Sequence, residues 1–213
     1  MAFTAESLLG QLTGFPPGSR FTVAYSGGLD STVLLHAMHH AITLAGHALG
    51  DVPVFSLRAI HVNHGLSPNA NQWQRLCEQQ CAHLGIPLYV ERVKLDPDAL
   101  ANLESQARDK RYGVFERQLE ADECILMAHH LDDQAETFLL RSLRGAGPRG
   151  LAAIPKRRPL GRAMLYRPLL EVPQADLRAY AERELLAWVE DESNESMAFD
   201  RNYCRHELLP RIE

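Results

Sequence analysis

Six consecutive residues, Ser26-Gly27-Gly28-Leu29-Asp30-Ser31, place two hydroxyls, two glycines and a carboxylate in one short stretch. That mixture suits the phosphate chain of a nucleotide. Glycine lets the backbone approach a ligand closely and accepts positive φ without a Cβ penalty. The first N–H groups of a helix that follows then face the anion, backed by the positive end of the helix dipole. Ser26 and Ser31 add hydroxyl donors. Asp30 would repel phosphate unless a cation stood between them, which predicts Mg²⁺. No GxxxxGKS/T run occurs, so the phosphate-gripping lysine of ordinary P-loops is missing. The same residues also fit a plain strand-to-helix turn with Ser or Asp as its cap.

A second constellation is Ala128-His129-His130-Leu131-Asp132-Asp133-Gln134-Ala135-Glu136-Thr137. The histidines close an apolar run and the acids open a helical one. Asp133 and Glu136 are three apart and share a helix face. Beside a metal-requiring nest, Asp132 or Asp133 becomes a second metal ligand, while Glu136 and His129 face a cationic substrate. Acids in a first helical turn also simply complement the dipole. The third signal is charge segregation. From Thr137 to Leu170 there are eight basic residues and no Asp or Glu, in a chain of net charge −5. This predicts contact with a phosphate backbone through Arg141, Arg144, Arg149, Lys156, Arg157 and Arg158, against the alternative of a solvated face.

Smaller signals remain two-sided. The backbone of His61 and Val62, in His61-Val62-Asn63-His64-Gly65, could pair with an adenine edge, with Asn63 and His64 stabilising the turn. Arg108 and Arg111 share a helix face and reach either phosphate or Glu104. Arg201 and Arg205 are equally open between a ligand and solvated ion pairs.

These groups need a frame. Strands are expected at Arg20–Tyr25, Phe55–Val62, Leu88–Val93, Cys124–Ala128 and, briefly, Met164–Arg167. Helices are expected at Met1–Leu12, after the glycine turn to Leu44, and over Asn69–Leu84, Asn102–Leu119, Asp132–Leu143, Pro173–Leu185 and Phe199–Leu209. The alternation predicts an α/β fold, a doubly wound, mostly parallel sheet with helices on both faces and a small helical carboxyl-terminal extension. Gly145 to Gly150 reads as a loop and Lys156 to Arg162 as irregular basic chain. The expected division is a catalytic domain over 1–185 and a helical tail over 186–213.

A length of 213 residues and 46% hydrophobic content suit one sizeable domain. The negative charge argues against a general polyanion binder. No apolar run is long enough to cross a membrane, and the first residues lack the basic cluster of a secretory signal. Cys77, Cys81, Cys124 and Cys204 have no zinc-type spacing and point to a reducing cytoplasm.

The Ser-Gly-Gly-Leu-Asp-Ser stretch resembles the SGGxDS signature of the PP-loop, or N-type, ATP pyrophosphatases, which cleave ATP between its α and β phosphates to activate an oxygen as an adenylate. Four stretches together are similar to the tRNA(Ile)-lysidine synthases within that superfamily: residues 26–31, 61–67, 128–147 and the tail from Trp188 through Asn194 to Asn202. The tail departs from the pattern at Glu192, where proline is common. The resemblance implies ligation of free lysine to C2 of the wobble cytidine in an isoleucine tRNA, with release of AMP and pyrophosphate. It implies carboxyl-terminal RNA-binding domains beyond this chain, no membrane, and leaves room for a homodimer. It puts ATP on Ser26, Gly27, Gly28, Leu29, Asp30, Ser31, His61 and Val62, and Mg²⁺ on Asp30 and Asp133. Arg108 steadies the leaving group, and His129, Asp133, Glu136, Arg201 and Arg205 form the lysine site. The competing expectations are a tRNA thiolase of the same superfamily and a module that senses ATP without turnover.

Overall fold

The computed structural model describes residues 2–48, 55–95, 103–190 and 200–212. The expected sheet is present, with strand order β3-β2-β1-β4-β6-β5. β1 (Arg20–Ala24), β2 (Ser56–Asn63), β3 (Leu88–Arg92), β4 (Glu123–Leu126) and β6 (Ala163–Tyr166) run parallel. Among the described strands only β5 (Arg157–Leu160) is antiparallel, paired with β6. The chain builds outward from β1 through β2 to β3, then returns to the other side of β1 as β4. The ends of β1 and β4 therefore flank the point where the winding reverses, where open α/β sheets leave a crevice for ligands.

The side-chain period of two explains the two-sided burial. Phe21, Val23, Ala59, Cys124, Leu126 and Tyr166 point into one core, while Ile60, Ile125 and Leu165 point into the other. The first core is covered by α1 (Ala5–Leu12), α2 (Leu29–Ala48), α3 (Ala70–His83) and α7 (Gln174–Arg183), through residues such as Leu8, Met38, Cys77 and Leu177. The second is covered by α4 (Leu103–Gln118), whose Val114 and Phe115 are buried there. α5 (Leu131–Leu143) follows β4, and α8 (Asp200–Tyr203), a π turn at Cys204–Leu208 and α9 (Leu209–Ile212) end the described chain.

Three expectations are corrected. Lys156 to Arg162 is not irregular, because Arg157–Leu160 pairs with β6 across a turn in which Gly161 takes φ 54°. Pro159 fits there because β5 is the edge strand of the described sheet, where a missing N–H is tolerated. Within the expected loop at 145–150, Pro148–Leu151 forms the short helix α6. The helix expected to end at Leu44 runs on to Ala48.

The opposite end of the sheet is held by charge. Arg58 donates from Nε and a terminal nitrogen to the two carboxylate oxygens of Glu123 at 2.8 and 2.7 Å, and Thr22 donates to Glu123 at 3.1 Å. Glu123 is 4% exposed. Burial is the largest single influence and pushes its carboxyl up, but the hydrogen bonds from Arg58, the Glu120 N–H and Thr22, together with the Arg58 charge, hold it below the ordinary carboxylate range.

Candidate active site

The Ser26–Ser31 stretch forms the bend between β1 and α2. Gly27 has φ 88°, and a Cβ built there would come 2.8 Å from Cys77 Sγ on α3. Both backbone and neighbour therefore require glycine. Gly28 does not have positive φ, so only one of the two glycines is needed for conformation. The hydroxyls close the bend: Ser26 Oγ lies 3.0 Å from Ser31 Oγ, which donates to the Gly28 carbonyl at 3.1 Å. The tail supports the bend from outside, since the Val189 N–H donates to the Gly27 carbonyl at 2.9 Å. Tyr25 donates to Gln80, whose amide donates to the Ala187 carbonyl, tying the bend, α3 and the tail into one relay. His61, 5% exposed, has Nδ1 2.9 Å from the Tyr25 carbonyl, so Nδ1–H is the donor and the side chain braces the end of β1.

The second constellation ends beside the first. His130 is 1% exposed, with Nε2 3.6 Å from an oxygen of Asp30 and 3.6 Å from an oxygen of Asp133. Its Nδ1 lies 3.4 Å from Asp132. An imidazole thus separates three carboxylates, a role that sequence reasoning missed because nothing in the spacing distinguishes His130 from His129. Asp132 accepts from the Gln174 N–H at 2.8 Å and turns toward α7, whereas Asp133 accepts from the His130 N–H at 3.0 Å and turns inward. Asp30 has one carboxylate oxygen buried without a hydrogen-bond partner among the described residues. Burial raises the Asp30 pKa; His130 opposes that and the nearby Asp133 charge adds to it.

A buried, unpartnered carboxylate oxygen near a second carboxylate fits a divalent cation. Among the described residues no group of three or more His, Cys, Asp or Glu forms a metal cage. That donor set suits Mg²⁺, which keeps waters and takes ligand phosphates alongside one or two carboxylates.

Glu136 is fully buried and held by two arginines of the terminal segment. Arg201 Nε and Arg205 Nε donate to its two oxygens at 2.6 Å each, and Arg201 also reaches Asp133 at 2.9 Å. The terminal segment therefore lends its cations to α5. Opposite lies a basic group: Arg108 of α4 and Arg158 of β5 each stack on the Tyr112 ring, at 5.1 and 5.0 Å. Arg167, just after β6, is 3% exposed and donates from Nε to His129 Nδ1 at 3.2 Å. The position of Arg167 next to His129 had no signal in sequence beyond its membership of the basic run.

Among the described residues, the cations expected to face RNA do not form one surface. Arg157 and Arg158 are adjacent on a strand and lie on opposite faces, Arg157 over Phe15 and Tyr166 and Arg158 over Tyr112. Arg141 donates to the carbonyls of Gly150 and Ala153 at 2.9 and 2.7 Å and braces its own loop. Lys156 pairs with Glu171 at 3.0 Å, and Arg144 is exposed at the end of α5. The Arg149 and Glu104 side chains and residues 191–199 of the tail motif lie outside the described residues.

A doubly wound α/β domain with a glycine bend and paired carboxylates at its winding reversal defines a nucleotide-phosphate-binding protein. The PP-loop domain family matches residues 1–212, and the chain belongs to that family. It is similar to the tRNA(Ile)-lysidine synthase of Coxiella burnetii, with 48% identity over 98% of this chain and 44% of that protein. It is 49% identical to the tRNA(Ile)-lysidine synthase of Pseudomonas aeruginosa, over 96% of this chain and 44% of that protein. The chain thus spans under half the length of these relatives. Among solved structures, a U34-tRNA thiolase from Methanococcus maripaludis with its 4Fe-4S cluster has a TM-score of 0.74 at 16% identity, covering 98% of this chain and 72% of that one. That likeness concerns the fold alone.

Proposed function

We propose that the chain is the ATP-cleaving part of an enzyme that joins lysine to C2 of the wobble cytidine of an isoleucine tRNA in the cytoplasm. The observation that carries this reading is the meeting of Asp30 and Asp133 at His130, with Glu136 linked to Asp133 through Arg201, in a chain 48% identical to a tRNA(Ile)-lysidine synthase. The Ser26–Ser31 bend receives the phosphates of ATP, with the backbone of His61 and Val62 beside the adenine. Asp30 and Asp133 hold Mg²⁺, which when bound neutralises phosphate charge. The cytidine C2 oxygen attacks the α-phosphorus and pyrophosphate leaves into the bend, where fixed N–H groups and Arg108 stabilise the departing charge. The lysine ε-amine, of ordinary pKa about 10.4, loses a proton beside Asp133 and Glu136 and attacks C2. The C2–O bond breaks and AMP leaves. Arg201 and Arg205 position the acids in the lysine site, and Arg144, Arg149, Lys156 and Arg158 supply cations toward the RNA.

The cysteines speak against a thiolase. All four are free and buried, and burial pushes Cys77 and Cys124 up to about 12 and Cys81 to about 11, far from thiolate. The deciding experiment incubates the protein that carries this sequence with ATP, labelled lysine and an isoleucine tRNA transcript. Lysine incorporation with stoichiometric AMP is expected. Incorporation of sulfur from a labelled donor in a parallel incubation, or ATP binding with no pyrophosphate released, would overturn the reading.

A further inference from the structure

We infer that His129 acts as a hydrogen-bond donor through Nε2–H, and that Arg167 is the positioning residue that fixes this tautomer. The Arg167 side chain is anchored: a terminal nitrogen donates to the Pro155 carbonyl at 2.6 Å and its backbone N–H donates to the Lys156 carbonyl at 2.9 Å. So held, Nε donates to His129 Nδ1 at 3.2 Å. A guanidinium has donors and no acceptor, and it keeps its proton in proteins. Nδ1 must therefore present its lone pair, and the one proton of the neutral ring sits on Nε2. A doubly protonated ring would set two N–H groups against each other.

The surroundings act in the same direction. Burial lowers the His129 pKa, to about 4, and Arg167 after β6, Arg201 of α8 and Arg111 of α4 add to the shift, with Asp133 of α5 opposing it. His129 is therefore neutral at physiological pH.

The consequence rests on the proposed function and deepens it. A lysine ammonium carries only N–H groups, so an Nε2–H neither binds it nor accepts its proton. His129, expected from sequence to face a cationic substrate, is instead matched to a substrate oxygen, whether of a phosphate, a carboxylate or a carbonyl. Proton acceptance from the amine then falls to a group other than His129.

Imidazole ¹⁵N–¹H correlation spectra of the labelled protein, with His129→Gln to assign the ring, read the tautomer directly and require no turnover. The Nε2–H form is expected from about pH 6 to about pH 8. A His129 that is Nδ1–H or doubly protonated in that range would overturn the proposal. In Arg167→Met the titration midpoint should rise by about one unit or more toward the ordinary value near 6.5. An unchanged midpoint and tautomer in that variant would remove Arg167 from the role. The wild-type spectrum stands even if the variant fails to fold. Lysine incorporation by a protein whose His129 is protonated would sink this inference and keep the functional reading. An Nε2–H ring in a protein that makes no lysidine would do the reverse.

Discussion

At the scale of single residues, the site depends on groups that cannot be exchanged for near relatives. Asp30 is the acid inside the bend, and Asp30→Ala should abolish ATP–pyrophosphate exchange; exchange at the wild-type rate would remove its assigned role. Gly27→Ala meets two obstacles, a left-handed φ costing about 1–2 kcal/mol and the contact with Cys77. The loss should appear as a lowered Tm, and adding Cys77→Ala should recover the steric part while leaving the backbone part. Glu136→Gln should raise the lysine concentration needed for half-maximal rate at least tenfold more than the ATP concentration, about 1.4 kcal/mol of selective loss. Equal changes in both would tell against placing lysine there. Asp30 and Glu136 were legible because each sits in a contiguous run of chemically marked residues. His130 and Arg167 were not, because their importance comes from neighbours brought in by the fold.

At the scale of elements, the apolar periods placed the helices and the parallel strands, and failed where a rule had an exception. β5 escaped because proline and three arginines in Lys156–Arg162 outweighed a four-residue strand on an edge. The same strand shows why a charge count does not predict a surface, since its period of two sends Arg157 and Arg158 to opposite faces. The Arg58–Glu123 pair joins β2 to β4 across β1, and neither residue had carried a signal in sequence. Arg58→Met would leave the buried Glu123 charge uncompensated and should cost about 3–5 kcal/mol in urea unfolding at neutral pH. Because the folded Glu123 pKa lies below its unfolded value of about 4.3, the pair stabilises fully above that pH. Its contribution is lost as pH falls through the folded value, so the gap between wild type and variant should narrow under acid. A gap constant down to strongly acidic pH would exclude the ion pair as its cause.

At the scale of the whole molecule, the winding reversal puts the ends of β1 and β4 side by side, and two motifs about a hundred residues apart in sequence become one site. That convergence follows from the observed strand order. The contribution of the terminal segment was not: Arg201 and Arg205 remained open between ligand and ion pair until the fold placed them on Glu136. The stretch before them also closes back on the beginning of the chain, where the Val189 N–H meets the Gly27 carbonyl. One amide late in the sequence is thereby a gauge of the bend near its start. Exchange of that amide with deuterated solvent should slow when ATP rigidifies the bend, letting mass spectrometry of a single late peptide follow nucleotide occupancy without any label on the nucleotide.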